Sequence, residues 1–258
     1  MPHRYDAQVL FDETVNIEST EAFIQRMRKN GDRIRFLHVL LAAMLRTIVD
    51  FPKANRFVRG RKVFARKDIS FCFAMKKDMT LESEETVVKL VFNPKDTLMD
   101  IVKRVDEAIE KNKATASKNK IDIAARLFNL MPSFVLRFSL FLIRFLDDRR
   151  LLPASLIRLS PFHSSAFVTD MGSLGMPPVY HHIYDFGTTS FFIAFGPKRK
   201  ETTHEKTRKV IDIRVVVDER IGDGYMMATV CKQLKRHLQD PSTLMKTPVD
   251  FPRDDEIR

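Results

Sequence analysis

Val215-Val216-Val217-Asp218-Glu219-Arg220-Ile221-Gly222-Asp223-Gly224 is the stretch on which the fold turns. Three consecutive β-branched valines mark a buried strand, and the charged turn after them leads into a helix whose Met227, Val230, Leu234 and Leu238 recur on one face. Asp223 is placed to cap that helix, predicted from Gly224 to about Gln239, and Gly224 to make the turn into it. Working back from this strand, predicted over Val210–Val217, two more β-rich runs appear at Thr189–Phe195 and Ser165–Asp170. The basic stretch Lys198–Lys200, between the run ending at Phe195 and the strand starting at Val210, reads as a solvated connection.

Further upstream, Ile34, Leu37, Leu41, Met44, Leu45 and Ile48 recur at spacings of three and four, so Arg33–Phe51 is predicted to be an amphipathic helix ended by Pro52. Phe57-Val58 and Lys62-Val63-Phe64 around Arg59-Gly60-Arg61 predict a hairpin, followed by strands at Ile69–Met75 and Thr86–Phe92. Asp96 or Thr97 caps a second helix with Leu98, Ile101, Val102, Val105 and Ile109 on its apolar face, and the charged run Glu110–Lys120 is expected to leave it as a loop. No short repeat or Pro/Gly/Ser linker divides the chain, so residues 1–258 are expected to form one mixed α/β domain. Residues 121–160 stand apart, rich in Phe and Leu with interspersed arginines and broken at Pro132 and Pro153. They predict a helical insertion with two readings: packing on the body or at a subunit contact, or an interfacial anchor in which Arg snorkels beside Phe and Leu.

The 258 residues include 44 basic and 33 acidic ones, a net charge of +11, with 44% hydrophobic and 30% charged residues. That composition excludes a disordered or collagen-like chain and points to an anionic partner: nucleic acid, a phosphate-bearing cofactor or a membrane surface. No helix-turn-helix, zinc finger or ribonucleoprotein motif supports nucleic acid. Cys72 and Cys231 have neither CxxC spacing nor clustered His, so neither a disulfide framework nor a zinc site is expected. The polar N-terminus lacks the basic start and apolar core of a signal peptide, and the most apolar stretch, Leu127–Leu146, is interrupted by Pro132, Arg137 and Arg144. A cytoplasmic protein without a spanning helix is expected.

The strand, charged turn, Asp-Gly and helix of residues 215–239 resemble the end of the catalytic domain shared by chloramphenicol acetyltransferase and the dihydrolipoamide acyltransferases of 2-oxoacid dehydrogenase complexes. That domain carries His-x-x-x-Asp-Gly after the strand. Asp223 and Gly224 match its Asp-Gly, Asp218 and Arg220 match its Asp-His-Arg form, and Glu219 stands in the histidine position. Phe51-Pro52-Lys53-Ala54-Asn55 with Gly60 is similar to the family's helix exit and hairpin, and Ala166–Gly172 to its strand ending in a catalytic serine, on which Thr169 falls. Phe191–Gly196 is similar to its apolar strand before the last crossover. The resemblance covers roughly residues 8 to 240 without the insertion, and rests on the order of these motifs.

The resemblance implies a two-layer mixed β-sheet with helices packed on one face, assembled as a homotrimer with each active site between subunits. It implies acyl transfer from a coenzyme A thioester to a thiol or hydroxyl acceptor, with no metal and no covalent enzyme intermediate. In that scheme the Glu219 position is the base, the Thr169 hydroxyl donates to the oxyanion, and Asp223 holds local geometry. No lipoyl-bearing domain or flexible linker precedes the fold, so a free-standing enzyme without its own lipoyl attachment is expected.

Glu219 is about two pK units weaker as a base than histidine, ~4.3 against ~6.5, unless burial raises it. His181 and His182 are the other candidates for a base, because they leave the Thr169 strand beside Tyr180, Tyr184, Asp185 and the Gly187-Thr188-Thr189-Ser190 turn. The plainer reading is that they hydrogen-bond a loop. His3, His38, His163, His204 and His237 have no such company, and His38 reads as a boundary residue. Arg220, Lys198 and Arg199 are candidates for the coenzyme A phosphates, or else ordinary solvated surface. The alternative function is a catalytically silent relative that binds a ligand or serves as an oligomeric partner.

Overall fold

The computed structural model describes residues 1, 3–76, 85–114, 132–203, 206–251 and 254–257. The elements run β1 (Gln8–Asn16), α1 (Glu18–Lys29), α2 (Phe36–Asp50), β2 (Arg56–Arg59), β3 (Lys62–Ala65), β4 (Ile69–Lys76), β5 (Glu85–Phe92) and α3 (Leu98–Ala114). After them come α4 (Ser133–Asp148), α5 (Ala154–Leu159), β6 (Ala166–Asp170), β7 (Phe191–Thr202), β8 (Thr207–Asp218) and α6 (Gly224–Gln239).

Six strands form one mixed sheet in the order β1-β8-β7-β6-β4-β5, parallel only at β7/β6 and β6/β4. Successive strand side chains point to opposite faces. One parity, including Phe71, Phe73, Val168, Ile193, Val215 and Val217, joins residues of α1, α2, α3 and α6 in the main core, while Phe192 and Val216 face the other way and meet Ile183 and Phe167. Helices α1, α2, α3 and α6 therefore occupy one face; the irregular chain around residue 183 covers the other, where Lys89 also donates to Ile157 O of α5. Helix α2 is apolar nearly all round and lies in the middle of the helical layer; Leu40, Leu41 and Leu45 are fully buried, each contributing about 1.5–3 kcal/mol of transfer free energy.

Several boundaries differ from those predicted, each for a local reason. Helix α2 starts at Phe36, not Arg33, because Arg35 is extended and its N–H donates to His38 Nδ1 at 3.3 Å. His38 is fully buried rather than a boundary residue. Helix α3 continues to Ala114, so part of the stretch expected to be a loop is helical. Lys198–Lys200, expected to be a connection, lie inside β7, which pairs with β8 as far as Thr202↔Thr207 beyond a register shift between Phe195 and Lys198. Charge does not prevent a strand whose ladder is complete and whose side chains face solvent. Strand β1 and helix α1 carry no strong sequence signal, since β1 is an edge strand with only Val15 fully buried.

The β2–β3 hairpin turns through Gly60 and Arg61, both at positive φ (55° and 64°), as a tight two-residue hairpin requires. A Cβ on Gly60 would come within 2.8 Å of the Asp148 carbonyl oxygen, so the hairpin tip sits against the end of α4. Helices α4 and α5 begin after Pro132 and Pro153, as the breaks predict, and residues 121–131 of the expected insertion lie outside the described residues.

Candidate functional site

The turn after β8 is built on Asp218, which is fully buried. Its backbone N–H donates to Ser190 O at 3.0 Å, and Arg220 forks its carboxylate, with Nε 2.8 Å from Oδ1 and Nη2 2.8 Å from Oδ2. Arg4 Nε approaches the same carboxylate at 3.6 Å. The Arg4 guanidinium also donates to three carbonyls, Thr189 O at 3.0 Å, Val58 O at 3.1 Å and Gly187 O at 2.6 Å. Burial pulls its pKa below the usual guanidinium range while Asp218 pushes it back up, and so it remains a cation. Asp223 caps α6, accepting from Met226 N at 2.8 Å, as the sequence predicts. Gly224 is not required for space, because a Cβ there would meet nothing within 4 Å and its φ is not positive.

Next to this turn lies a cavity of about 590 Å³ walled by the N-terminal residues, the β2–β3 hairpin, the end of α4 and residues 185–187. Six guanidinium groups line it: Arg4, Arg59, Arg61, Arg144, Arg149 and Arg220. Of its three aspartates, Asp185 and Asp147 are already engaged and Asp148 is exposed. Asp185 accepts from Arg4 N at 3.0 Å, lies 3.2 Å from His3 Nδ1 and binds Arg144. Asp147, buried, pairs with Arg59 Nη2 at 3.0 Å and lies 3.2 Å from His163 Nε2. Arg61 and Arg149 have no carboxylate partner among the described residues, which leaves the cavity receptive to an anion.

His163 Nδ1 is 2.8 Å from Ser160 Oγ, so serine, histidine and aspartate are connected in the order of a hydrolase relay. The relay is closed, however: His163 is 2% exposed, and burial lowers its pKa despite Asp147. It ties α4 to the chain before β6. Sequence reasoning missed Arg4, Arg59, His3, Asp147 and His163, because no spacing links residues brought together from four distant segments.

The other candidates lie elsewhere. Thr169, half-buried in β6, pairs with Ala194, which pairs with Arg214 of β8. It shares a sheet face with Phe167, which stacks on Phe192 at 4.8 Å. His181 stacks on the same Phe192 at 4.3 Å and so lies over the face of Thr169. His182 is exposed against Tyr184. Asp185 serves His3, Arg4 and Arg144. Glu219 is exposed in the single chain, not buried. Lys198 pairs with Glu21 at 2.6 Å and Arg199 with Asp212 at 2.7 Å; neither lines the cavity, whereas Arg220 does. Arg214 to Glu219 is five residues of β8 and turn, or roughly 17 Å at strand rise, so one chain does not bring Thr169 and Glu219 together.

After Thr169 the chain turns through Gly172, whose added Cβ would come within 2.6 Å of Gly196 O. Only glycine allows this approach to β7.

No family model matches the sequence, and no curated protein matches it. Solved structures do match. A probable dihydrolipoamide acetyltransferase from Listeria monocytogenes has 12% identity and a TM-score of 0.62 over 95% of this chain and 88% of that one. The Azotobacter vinelandii dihydrolipoamide acetyltransferase, studied for the roles of a serine, a histidine and an asparagine in its mechanism, has 16% identity and a TM-score of 0.62 over 92% and 83%. A chloramphenicol acetyltransferase has 10% identity and a TM-score of 0.53 over 92% and 90%. The chain has the chloramphenicol acetyltransferase-like fold.

Proposed function

We propose that the protein is a coenzyme A-dependent acyltransferase whose active sites form between the subunits of a homotrimer, transferring an acyl group to a thiol or hydroxyl. The carrying observation is the β8 turn: a buried Asp218 forked by Arg220 and braced by Arg4, both of which also line the cavity with its six guanidinium groups, with Glu219 exposed on the same turn. The Azotobacter enzyme's named histidine is followed four residues on by its asparagine, and Glu219 and Asp223 have that spacing. Arg61 and Arg149 fit the phosphates of coenzyme A, since each offers a guanidinium not committed to a carboxylate.

Within this reading Glu219 of one subunit faces Thr169 of another. Glu219 takes the proton of the acceptor as the acceptor oxygen or sulfur bonds to the thioester carbonyl carbon. Thr169 donates its hydroxyl to the oxygen where negative charge develops. Glu219 then returns the proton to the sulfur as the carbon–sulfur bond breaks. His181, on the face of Thr169, is the second candidate for the base.

The turn carries Glu219 and no histidine, and this favours a second reading, a silent relative that binds coenzyme A without turnover. The two are separated by measuring thiol release from a panel of acyl-coenzyme A esters with wild type, Glu219→His, His181→Ala and His182→Ala, with coenzyme A binding followed calorimetrically. Under the enzyme reading Glu219→His raises transfer by about tenfold or more, or His181→Ala lowers it by about 10² or more. Binding without release in all four folded proteins selects the silent protein; neither binding nor release rejects both.

A further inference from the structure

Helix α4 carries Phe134, Phe138, Phe141 and Phe145 at spacings of four, three and four, which places all four rings within a narrow stripe on one side. The stripe faces out: the residues are 75%, 64%, 64% and 41% exposed. Leu142 on its flank, then Leu151, Leu156 and Leu159 on and before α5, are also exposed. Scattered exposed hydrophobics need no explanation, but a continuous apolar surface of this extent marks an interaction site.

Its charge selects the partner. Residues 133–159 contain five arginines and two aspartates, a net charge of +3 with no lysine or glutamate. Asp147 is buried and paired inward with Arg59 and His163, so Asp148 is the one exposed carboxylate on the surface. Arg137 flanks the stripe on one side and Arg158 closes the patch on α5; Arg149, at the cavity rim, lies over the Phe145 ring at 4.8 Å, and Arg144 turns to the cavity and binds Asp185. A protein interface would have to supply carboxylates for these arginines, and a second copy of this surface brings the same excess of arginine. A bilayer with anionic headgroups supplies both requirements, acyl chains for the rings and phosphates for the guanidiniums. At 16 residues α4 is about 24 Å long, too short and too charged to cross, and among the described residues no helix is long and apolar enough to span a membrane.

We infer that the outer surface of α4 and α5 docks the protein on an anionic lipid bilayer, with α4 lying in the plane of the headgroups. The opposite side of α4 supplies Arg144 and Asp147 to the cavity wall, so docking holds the cavity about one helix diameter, ~10 Å, from the lipid. This inference stands whether or not the protein transfers acyl groups.

Flotation of the full chain with phosphatidylcholine vesicles, with and without phosphatidylserine, tests it. Wild type should float with the anionic vesicles at least about tenfold more than with neutral ones, and less as salt is raised. Phe138→Ser/Phe141→Ser should lower flotation by at least about tenfold, as should Arg137→Glu/Arg158→Glu, whose side chains have no partner among the described residues and whose reversal leaves the fold intact. Absence of flotation on anionic vesicles, or equal flotation of both folded variants, overturns the inference. Wild type that stays in solution as an oligomer, and is split into monomers by the Phe pair, overturns it in favour of a subunit contact.

Discussion

Arg220 grips Asp218 through both guanidinium edges, 2.8 Å to each carboxylate oxygen, two residues apart with Glu219 between them. The carboxylate is fully buried and Arg4 approaches it from the other side. Asp218→Asn therefore leaves two guanidiniums facing a neutral amide. Removing one partner of a buried pair costs on the order of 3 kcal/mol, toward the lower end because Arg220 is partly exposed and Arg4 keeps three carbonyl acceptors. Urea unfolding should show that loss, and Arg220→Lys, which cannot fork, should lose part of it.

If the site is shared, Thr169 and Glu219 act from different subunits. Thr169→Ala and Glu219→Ala subunits, each inactive alone, should recover part of the wild-type thiol release when refolded together, because some mixed trimers contain a complete pair. A site within one subunit predicts that the mixture stays as inactive as its components.

His38 sets a pH dependence of stability. Burial lowers its pKa from 6.5 to about 4, with Asp106 at 3.5 Å opposing the shift and Arg35 and Arg28 adding to it. The unfolded chain binds the proton more tightly, so the stabilisation is complete above pH 6.5 and is lost as pH falls towards 4. The loss is on the order of 3 kcal/mol. His163, also lowered by burial, works in the same direction. In His38→Asn, whose amide oxygen can still accept from Arg35 N, the fall in the denaturant midpoint between pH 7 and pH 5 should shrink. An unchanged fall assigns the effect to other groups.

Two glycines at the resembling motifs should behave oppositely. Gly172→Ala forces a Cβ to 2.6 Å from the Gly196 carbonyl and should destabilise by about 1–3 kcal/mol. Gly224→Ala enters open space in the first turn of α6 and should stabilise by about 0.5–1 kcal/mol. Thermal melts of the two variants distinguish steric need from simple helix entry.

Local pattern was sufficient for much of the architecture. The spacing of Ile34 to Ile48 marks α2, the valines before Asp218 mark a central strand, and Gly60 between two apolar pairs marks a hairpin, because helix and strand periods and positive φ are properties of neighbouring residues. The Asp223 cap belongs to the same class, as does the order of motifs that carries the resemblance. Edge strand β1 and the exposed half of β7 escaped because their pairing, not their composition, makes them strands. Tertiary structure alone decided that Arg4 braces Asp218, that Asp185 serves His3 and Arg144, and that six arginines share one cavity. It also decided that Thr169 lies some five residues of strand away from Glu219. Such contacts depend on how distant segments cross in space, and a charge or hydrogen bond between segments far apart in the chain imposes no period on the sequence of either.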